Sequence, residues 1–409
     1  MVPDPTADSG HPAPRPDPGL KEELKAQARR LGLDLVGIAR CTVSERDRQA
    51  LADREARGFR TTFEERDIDL RVELDRLLPG CQSAVVVGIA YLPYRPVPPP
   101  PGEPDGPRGR LSRYCRGQDY HGVLREKLRT LARWLEERCP GARTYLFADT
   151  EPPIDRSLAE QAGLGFFGRS TNLITREYGT WVFLGGLLTN VPLEPDPPWS
   201  GTCGTCTRCL DACPTGALVE PYVLDSHRCL SYVTQMKGYV PEEFRAALGD
   251  WIFGCDICQE VCPYNLRPSL LVGDHPELNP WPEVGGDAGP LLERILRMTN
   301  AEFRSVWQKT AAGWRGKTVL QRNAVIALGN SGDPRALPLL QEALGDPRPV
   351  IRGHAAWALG RLAELRPELA ATALALLREA AGREEDPDAA REIRAALDRL
   401  EGRRAESPT

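Results

Sequence analysis

Two runs of cysteine constrain this chain more strongly than any other feature of its 409 residues. Each run ends in Cys-x3-Cys-Pro after a Cys-x2-Cys step, which is the spacing with which bacterial ferredoxins bind [4Fe–4S] clusters. Three thiolates from such a loop bind one cubane, and the fourth ligand comes from the other run. The runs comprise Cys203, Cys206, Cys209 and Cys213, and then Cys229, Cys255, Cys258 and Cys262.

This exchange of the fourth ligand divides the eight thiolates into two predicted sets. The sets are Cys203, Cys206, Cys209 and Cys262 for one cluster, and Cys213, Cys229, Cys255 and Cys258 for the other. Crossed ligation would join both clusters into one rigid unit with a short electron path. The alternative is a pair of four-cysteine zinc sites, which would use Cys-x2-Cys pairs and would not need three equally spaced cysteines before Cys-Pro.

The rest of the sequence excludes several classes of protein. The longest apolar stretch is about ten residues, whereas a membrane helix needs roughly 20, and the first 19 residues lack the basic and apolar regions of a signal peptide. We therefore expect a cytoplasmic protein without a membrane span. Structural disulfides are rare in that compartment, so Cys41, Cys81 and Cys139 are interpreted as small buried or semi-buried apolar side chains.

Hydrophobic patterns predict a multidomain α+β protein. Continuous or alternating apolar runs predict strands at Ser83 to Tyr91, Thr144 to Ala148 and Trp181 to Thr189. Helical spacing is seen from Leu20 to about Arg40 and from Tyr120 to Arg138, so we expect an α/β N-terminal domain. The expected divisions are a disordered lead at 1–19, this domain at 20–198, a ferredoxin-like two-cluster domain at 199–275, and a helical region at 276–409.

The helical region contains an internal repeat. Arg322-Asn-Ala-Val-Ile-Ala-Leu-Gly returns as Arg352-Gly-His-Ala-Ala-Trp-Ala-Leu-Gly about 30 residues later, and a weaker third copy spans Arg391 to Leu397. Short helix pairs with this period indicate an α-solenoid of HEAT-like repeats at about 305–400. The alternative is a helical bundle with chance similarity between its helices.

Several motifs together resemble the epoxyqueuosine reductase family. They are Tyr114-x-Arg-Gly-x-Asp-Tyr-His121, Asp149-x-x-Pro-x-x-Asp155-Arg156, Ala162-Gly-Leu-Gly and Cys229-Leu-Ser-Tyr, beside both cysteine runs. The glycines of the third motif would let the backbone approach a large ligand closely. The chain departs from the family in having Asp155 where glutamate is usual and Arg169 where lysine is usual, and both changes preserve the charge.

The resemblance implies a reaction. The family reduces the epoxide of epoxyqueuosine, at the wobble position of tRNA, to the cyclopentene of queuosine, using two electrons and two protons and releasing water. Its members bind cobalamin, without its own base as lower ligand, in the first domain, and electrons reach cobalt from an external low-potential donor through the two clusters. The resemblance thus makes 20–198 the cobalamin-binding and catalytic domain.

The family position of the proton donor corresponds to Asp149. Opening an epoxide develops negative charge on oxygen, so a nearby acid assists the reaction, and we expect burial to raise the pKa of this carboxyl toward neutrality. The alternative is that Asp149 only caps a turn. His121 is interpreted as a hydrogen-bonded helix histidine rather than a cobalt ligand. The further expected cobalamin contacts are Arg71, Cys115, Asn172 and Ser231, with Cys115 lining the corrin face.

A basic segment predicts where RNA binds. Between residues 303 and 322 the chain has five basic residues and no acidic one, with two tryptophans among them. Since the net charge is −5, contact with nucleic acid must come from such a local patch. The residues are Arg304, Lys309, Arg315, Lys317 and Arg322, with Trp307 and Trp314. The alternative is a solvated basic helix face with tryptophans in the core.

Three functions remain open on sequence grounds. The first is the tRNA-modifying reductase, expected to act as a monomer with tRNA and an electron donor as partners. The second is a ferredoxin-type electron carrier with a protein-docking solenoid, which would need no ligand site in the first domain. The third is a corrinoid reductive dehalogenase, although such proteins usually have export signals and no HEAT repeats.

Overall fold

A computed structural model describes residue 14 and residues 17–92, 96–267 and 269–406, with side chains up to residue 402. The lead at 1–19 lies outside these residues, apart from 14 and 17–19. The N-terminal helices are α1 (Leu20–Arg30), α2 (Glu45–Ala56), α3 (Ile68–Val72), α4 (Tyr120–Arg138) and α5 (Asp155–Gln161). The strands are β1 (Leu35–Arg40), β2 (Ser83–Ala90), β3 (Arg110–Leu111), β4 (Thr144–Phe147), β5 (Gly165–Phe167), β6 (Leu173–Thr175) and β7 (Val182–Thr189).

A four-stranded sheet of order β1-β2-β7-β4 forms the centre of this half, and each neighbouring pair is antiparallel. Both faces are covered. Val85, Val87 and Ile89 of β2 pack on one face with α1 and α4, and Ala84 and Val86 pack on the other with α5. Burial on both faces explains why β2 is a continuous apolar run rather than an alternating one.

One helix is shorter than the spacing of its apolar residues predicts. Leucines at helical spacing predict a helix to about Arg40, but α1 ends at Arg30 and Leu35–Arg40 forms β1. Gly32 has a left-handed backbone with φ +73°, which ends the helix. The residues after it pair with β2 from Leu35 opposite Gly88 to Arg40 opposite Ser83, and sheet pairing therefore overrides the local helical spacing.

The antiparallel pair β1–β2 also brings two cysteines together. Cys41 and Cys81 form a disulfide with a Cα–Cα distance of 5.9 Å. Our interpretation of these two residues as unpaired apolar side chains is therefore wrong, because the pairing of Arg40 with Ser83 brings the chain just after β1 close to the chain just before β2. Cys139 is a free, buried thiol in the sheet core, as expected.

The cysteine-rich segment consists of short elements. They are α6 (Arg208–Asp211), β8 (Leu218–Glu220), β9 (Val223–Leu224), α7 (Leu230–Val233), α8 (Glu242–Arg245), β10 (Trp251–Phe253) and α9 (Ile257–Glu260). Strand β10 pairs in parallel with β3 of the N-terminal half. This pairing ties the loop carrying the second cysteine run to the segment just before Tyr114.

The C-terminal region is helical, as expected for HEAT repeats. Its helices are α10 (Leu292–Leu296), α11 (Asn300–Ser305), α12 (Lys317–Asn330), α13 (Ala336–Ala343), α14 (Pro349–Leu365), α15 (Ala370–Arg383) and α16 (Pro387–Glu406). Helix α14 packs between α12 and α16. A Cβ added at Gly329 would lie 2.7 Å from Ala358 Cα, so the repeated Leu-Gly allows α12 and α14 to approach closely. Nowhere in the described ranges does a helix combine the length and apolarity that crossing a membrane requires.

Candidate active site and cluster-binding cysteines

Thiols within each predicted set lie close enough to raise one another's pKa. Burial raises the pKa of the Cys262 thiol, and the nearby thiols of Cys203 and Cys206 raise it further. In the other set, burial raises the pKa of Cys255 to about 12, with Cys229 and Cys213 adding to the effect. We call Cys203, Cys206, Cys209 and Cys262 the outer set, and Cys213, Cys229, Cys255 and Cys258 the inner set.

A backbone N–H group donates a hydrogen bond to one cysteine sulfur in each set. The backbone N–H of Ala217 donates to Cys213 Sγ at 3.3 Å, and the backbone N–H of Arg169 donates to Cys203 Sγ at 3.5 Å. Such donors favour the deprotonated sulfur that metal ligation requires. Asn172 Nδ2 lies 3.8 Å from Cys258 Sγ, which places this predicted cobalamin contact beside the inner set.

Asp149 lies on the loop that follows β4, in a strained backbone conformation. Its φ is +66° although it is not a glycine, and such strain persists only where surrounding contacts enforce it. Its backbone N–H donates to Asp155 Oδ2 at 3.0 Å. Its side chain is 60% exposed, so the carboxylate is open to solvent while its backbone N–H is held by Asp155.

Two side chains from the start of α4 hold the Asp149 carboxylate. Tyr120 donates its hydroxyl proton to Asp149 Oδ2 at 3.0 Å, and His121 Nε2 lies 3.1 Å from the same oxygen. His121 Nδ1 lies 2.7 Å from Asp119 Oδ1. The imidazole therefore bridges two carboxylates, and His121 is a hydrogen-bonded helix histidine as expected.

This arrangement sets the protonation states. Burial alone would lower the pKa of His121, but its hydrogen bonds to Asp119 and Asp149 raise the pKa to about 9. Partial burial acts to raise the pKa of Asp149, but the hydrogen bond and charge of His121 outweigh it and lower that pKa. The expected upward shift at Asp149 is therefore wrong. It occurs at Asp155 instead, where burial and the charge of Asp149 raise the pKa to about 7.

A row of polar contacts leads from Asp149 to the inner set. The rings of Tyr120 and Tyr114 lie 6.4 Å apart in an edge arrangement. Gln235 Nε2 donates to the Tyr114 hydroxyl at 3.3 Å and to the Ser231 carbonyl at 2.8 Å, and Ser231 follows Cys229 by two residues. Sequence reasoning missed Tyr114, Tyr120 and Gln235 as site residues, although both tyrosines lie inside the motif quoted above.

Arg71 reaches the Asp149 loop from α3. Its Nε donates to the Pro152 carbonyl at 3.4 Å, and its Nη1 lies 3.5 Å from Glu64 Oε2. Nη1 is buried and has no hydrogen-bond partner among the described residues. Arg71 thus lies beside the Asp149 loop and is ion-paired with Glu64, whereas Asn172 lies beside Cys258 of the inner set.

Two expectations about the site are wrong. Cys115 is fully buried in the core with Leu111 and Phe253, and its thiol donates to the Ser112 carbonyl at 3.1 Å, so it cannot line a cofactor surface. The glycines after Ala162 do not face a ligand either. A Cβ at Gly163 or Gly165 would lie within 2.5 Å of the backbone oxygen of Pro197 or Ile174, so these glycines permit packing of the chain on itself.

The basic segment divides into buried and exposed parts. Arg322 and Trp307 are buried, because Arg322 donates to the carbonyls of Thr234, Met236 and Gly238. Placing Arg322 and Trp307 in an RNA-binding patch is therefore wrong. Arg304 and Lys309 remain exposed.

An aromatic cluster that sequence reasoning missed adjoins the exposed part. Trp314 is 54% exposed, and its ring lies 5.1 Å from that of Phe63, which in turn lies 5.0 Å from Tyr232. The Arg315 guanidinium lies over both Phe63 and Trp314. Three distant segments build this cluster, and no local pattern could have joined them.

Family models match three parts of the chain. Residues 71–150 match the model described as epoxyqueuosine reductase QueG, DUF1730. Residues 202–265 match a 4Fe-4S double cluster binding domain, and residues 316–398 match HEAT repeats. The second match confirms iron–sulfur clusters rather than the zinc alternative, and the third confirms the solenoid rather than a chance helical bundle.

Curated relatives match over most of the chain. The epoxyqueuosine reductase of Bacillus subtilis (strain 168) is 42% identical over 382 residues, covering 93% of this chain and 96% of that protein. The epoxyqueuosine reductase of Bacillus cereus is 40% identical over 344 residues, covering 84% of this chain and 89% of that protein.

Solved structures agree with these relatives. A crystal structure of epoxyqueuosine reductase with an epoxyqueuosine-modified tRNA-Tyr stem loop is 41% identical, with a TM-score of 0.85 over 93% of this chain and 99% of that one. The enzyme from Streptococcus thermophilus is 32% identical, with a TM-score of 0.85 over 94% of this chain and 100% of that one. Relatives of this identity and coverage show that the chain belongs to the epoxyqueuosine reductase family and is an oxidoreductase that reduces epoxyqueuosine.

Proposed function

We propose that this chain reduces epoxyqueuosine to queuosine at the wobble position of tRNA, with cobalamin bound between Asp149 and the inner set. The observation that supports this most directly is Asp149, whose backbone is strained and whose exposed carboxylate is hydrogen-bonded to Tyr120 and His121. A structure of the Bacillus subtilis relative is described as having its aspartate-bearing catalytic loop swung out of the active site. In this chain the corresponding role is proposed for Asp149.

We propose that the region between Asp149 and the inner set forms a cleft for a large cofactor with many amide groups. Arg71 brings a buried Nη1 that has no hydrogen-bond partner among the described residues and lies 3.5 Å from Glu64 Oε2. Asn172 lies beside Cys258, and Ser231 follows Cys229 by two residues. We propose that Arg71, Asn172, Ser231 and Asp149 contact cobalamin. When bound, cobalamin supplies a low-valent cobalt centre that can reduce the substrate.

The chain's own residues would supply the proton as the epoxide opens. Because His121 is protonated at neutral pH and Asp149 is ionised, the pair stores one proton next to the cleft. As negative charge develops on the epoxide oxygen, the proton passes from His121 Nε2 through Asp149 Oδ2 to that oxygen. Two electrons and a second proton complete the reduction, and the oxygen leaves as water.

The two cysteine sets would bind the electron relay. In this proposal residues 20–198 form the catalytic domain and residues 199–275 the relay, while residues 276–409 form the helical region and 1–19 a disordered lead. The outer set binds the cluster that receives electrons from an external low-potential donor, and the inner set binds the cluster nearest the cleft. A tRNA substrate is consistent with a monomer that acts in the cytoplasm.

The aromatic cluster would hold the anticodon loop. Unpaired bases stack on aromatic side chains, and arginine adds attraction to phosphate. Trp314, Phe63 and Arg315 are next to Tyr232, which lies three residues after Cys229. A base in a single-stranded loop can be turned into a pocket at little cost, so the wobble nucleotide could reach Asp149 while its neighbours stack here.

The test is a turnover assay with anaerobically reconstituted protein, cobalamin, a chemical reductant and tRNA containing epoxyqueuosine. Mass analysis of the digested nucleosides should show the loss of one oxygen from the modified base. An unchanged mass, in protein that has both clusters and bound corrinoid, would contradict the proposed function.

A further inference from the structure

The outer set of cysteines lies at the protein surface. Cys203, Cys206 and Cys209 are all partly exposed, and the residues beside them, such as Thr202 and Thr205, are exposed. Next to Cys262, Leu266 is 62% exposed. This exposed apolar side chain and the open loop leave the edge of the outer cluster accessible to a partner.

Arginines without carboxylate partners surround this surface. We call them the arginine rim, and they are Arg169, Arg176, Arg208 and Arg267. Within the described ranges none of the four forms an ion pair, although most arginines of the chain do. Arg169 Nη1 donates to the Cys206 carbonyl at 3.3 Å, and Arg208 lies between Cys206 and Cys209, so the rim adjoins the outer set directly.

Aromatic side chains connect the members of the rim. The Arg176 guanidinium lies 5.3 Å from the Trp199 ring centroid, and that of Arg267 lies 5.7 Å from the Tyr264 ring centroid. The Phe166 ring packs edge-on against both rings, at 5.5 and 5.4 Å. Tyr264 donates to the Thr202 carbonyl at 2.9 Å, which joins this aromatic row to the outer cysteine loop.

We propose that the arginine rim is the docking surface for a small acidic protein that carries one electron at a time. The inference rests on the proposed function, because it concerns the donor that the outer cluster requires. The whole chain has a net charge of −5, so an acidic carrier is repelled in general, and the unpaired positive charges of the rim would steer it to the cluster. Each docking event oxidises the carrier by one electron and reduces the outer cluster by one, and two events supply one epoxide reduction.

RNA is the other class of polyanion that such a surface could attract. The carrier is favoured because the rim adjoins the outer set, whereas Asp149 is linked through Tyr120, Tyr114 and Gln235 to Ser231, two residues after Cys229 of the inner set. The Trp314 cluster contacts Tyr232, which is also close in sequence to Cys229. An RNA bound at the rim would leave the outer cluster covered and would not bring its base to Asp149.

The test compares the double variant Arg176→Glu/Arg208→Glu with the control variant Arg394→Glu. Arg176 and Arg208 are exposed side chains without hydrogen-bond partners in the described part of the chain, and Arg394 is similarly exposed on α16. The probe is a purified acidic flavodoxin, and its Kd for each holoprotein is measured by flavin fluorescence at several salt concentrations. The rate at which its hydroquinone bleaches cluster absorbance is measured in parallel.

We expect the double variant to raise the Kd and lower the bleaching rate by about tenfold at low salt, with the difference shrinking as salt rises. The control should match the unmodified protein, and dithionite should bleach all three proteins equally. Arg176→Glu alone, which lies away from the cysteines in sequence, should show part of the effect even if Arg208→Glu disturbs the cluster.

Unchanged flavodoxin affinity and bleaching in the double variant at low salt would overturn the inference. So would a loss of affinity for the tRNA stem loop in the double variant while flavodoxin binding is retained, since that result would identify the rim as an RNA contact. Failure of dithionite-reduced unmodified protein to form queuosine would instead contradict the proposed function, and the flavodoxin Kd would still decide whether the rim is a docking surface.

Discussion

The carboxylate of Asp149 and the imidazole of His121 share a proton. Its position depends on the hydrogen bonds that Tyr120 makes to Asp149 and that Asp119 makes to His121. The sequence identifies Asp149, because an acid follows a strand within a recognisable motif. It does not reveal the charge of Asp149, because this depends on His121 and Tyr120 reaching the same oxygen. Burial acts to raise the pKa of Asp149, and the neighbouring His121 cation outweighs it and lowers that pKa.

Replacing Asp149 with asparagine tests its role as the group that touches the epoxide. The amide keeps the size of the side chain and its contact with Tyr120 but cannot pass a proton, so we expect kcat to fall by about 10²- to 10⁴-fold. Cobalamin binding, iron content and stem-loop affinity should stay within about twofold. Glu385→Gln, a change of an exposed acid between α15 and α16, is the matched control. Near-normal turnover by Asp149→Asn would remove this residue from the mechanism.

The pH dependence of turnover tests the His121 pair. The pKa of His121 is raised from 6.5 to about 9, so its proton is present at neutral pH and is lost as the pH rises through about 9. We expect kcat to be level near neutrality and to fall on the alkaline side, and we expect His121→Gln to lower kcat and abolish this alkaline limb. The stabilisation from the charge pair has the same sign, fully present below pH 6.5 and lost as pH rises through about 9. An identical alkaline limb in His121→Gln would assign the titration to another group.

At the scale of elements, local patterns predict β2, α4 and β7 well, because each is long and strongly apolar. They fail at β1, where helical leucine spacing continues into residues that the sheet recruits. The disulfide between Cys41 and Cys81 is missed for the same reason, since only the β1–β2 register brings the two sulfurs together. The motif around Cys115 is recognised in the sequence, but the expectation that its thiol faces a cofactor is wrong. Which side chains of a short turn point outward depends on tertiary packing.

Arg322 joins α12 to the segment 234–238 by hydrogen bonds, and its replacement tests how much these contacts stabilise the protein. Its guanidinium donates to the carbonyls of Met236 and Gly238 at 2.6 and 2.9 Å, and Asn323 Nδ2 donates to the Thr234 carbonyl at 2.7 Å. We expect Arg322→Leu to lower the free energy of unfolding by about 2–4 kcal/mol, because buried carbonyls lose charged donors. Arg304→Leu, on the exposed part of the same segment, should change it by less than about 0.5 kcal/mol. Equal thermal unfolding of both variants would show that the Arg322 contacts do not stabilise the protein.

At the scale of the whole molecule, the cysteine runs and the repeats predict the separate domains but not how these domains pack together. A single hydrophobic core extends from Leu230 and Trp251 through α12 and α14 to Leu400, so the solenoid supports the loop that follows Cys229. This continuity is not visible in the sequence, because it depends on buried residues more than a hundred positions apart. It also explains why Arg322, expected at an RNA surface, is buried and hydrogen-bonded inside the protein.

The Trp314 cluster makes a prediction about the complex with RNA. We expect Trp314→Ala to weaken binding of a tRNA stem loop by about tenfold, as loss of one base–aromatic stack does, and Lys309→Glu to weaken it in a salt-dependent manner. Leu365→Ala, at an exposed apolar residue of α14, should leave the Kd unchanged. Fluorescence anisotropy of a labelled stem loop measures all three variants, and an unaltered Kd in Trp314→Ala would exclude this surface from RNA binding.

A count of electrons tests most directly the claim that both clusters feed one reduction beside Asp149. Holoprotein is reduced with dithionite, freed of excess reductant without oxygen, and mixed with epoxyqueuosine stem loop, while the electron paramagnetic resonance of the reduced clusters and the queuosine formed are followed together. We expect one queuosine per chain as both cluster signals disappear, and none from Cys213→Ser, which lacks an inner-set ligand. Cluster oxidation without queuosine, or full queuosine formation by Cys213→Ser, would contradict the account.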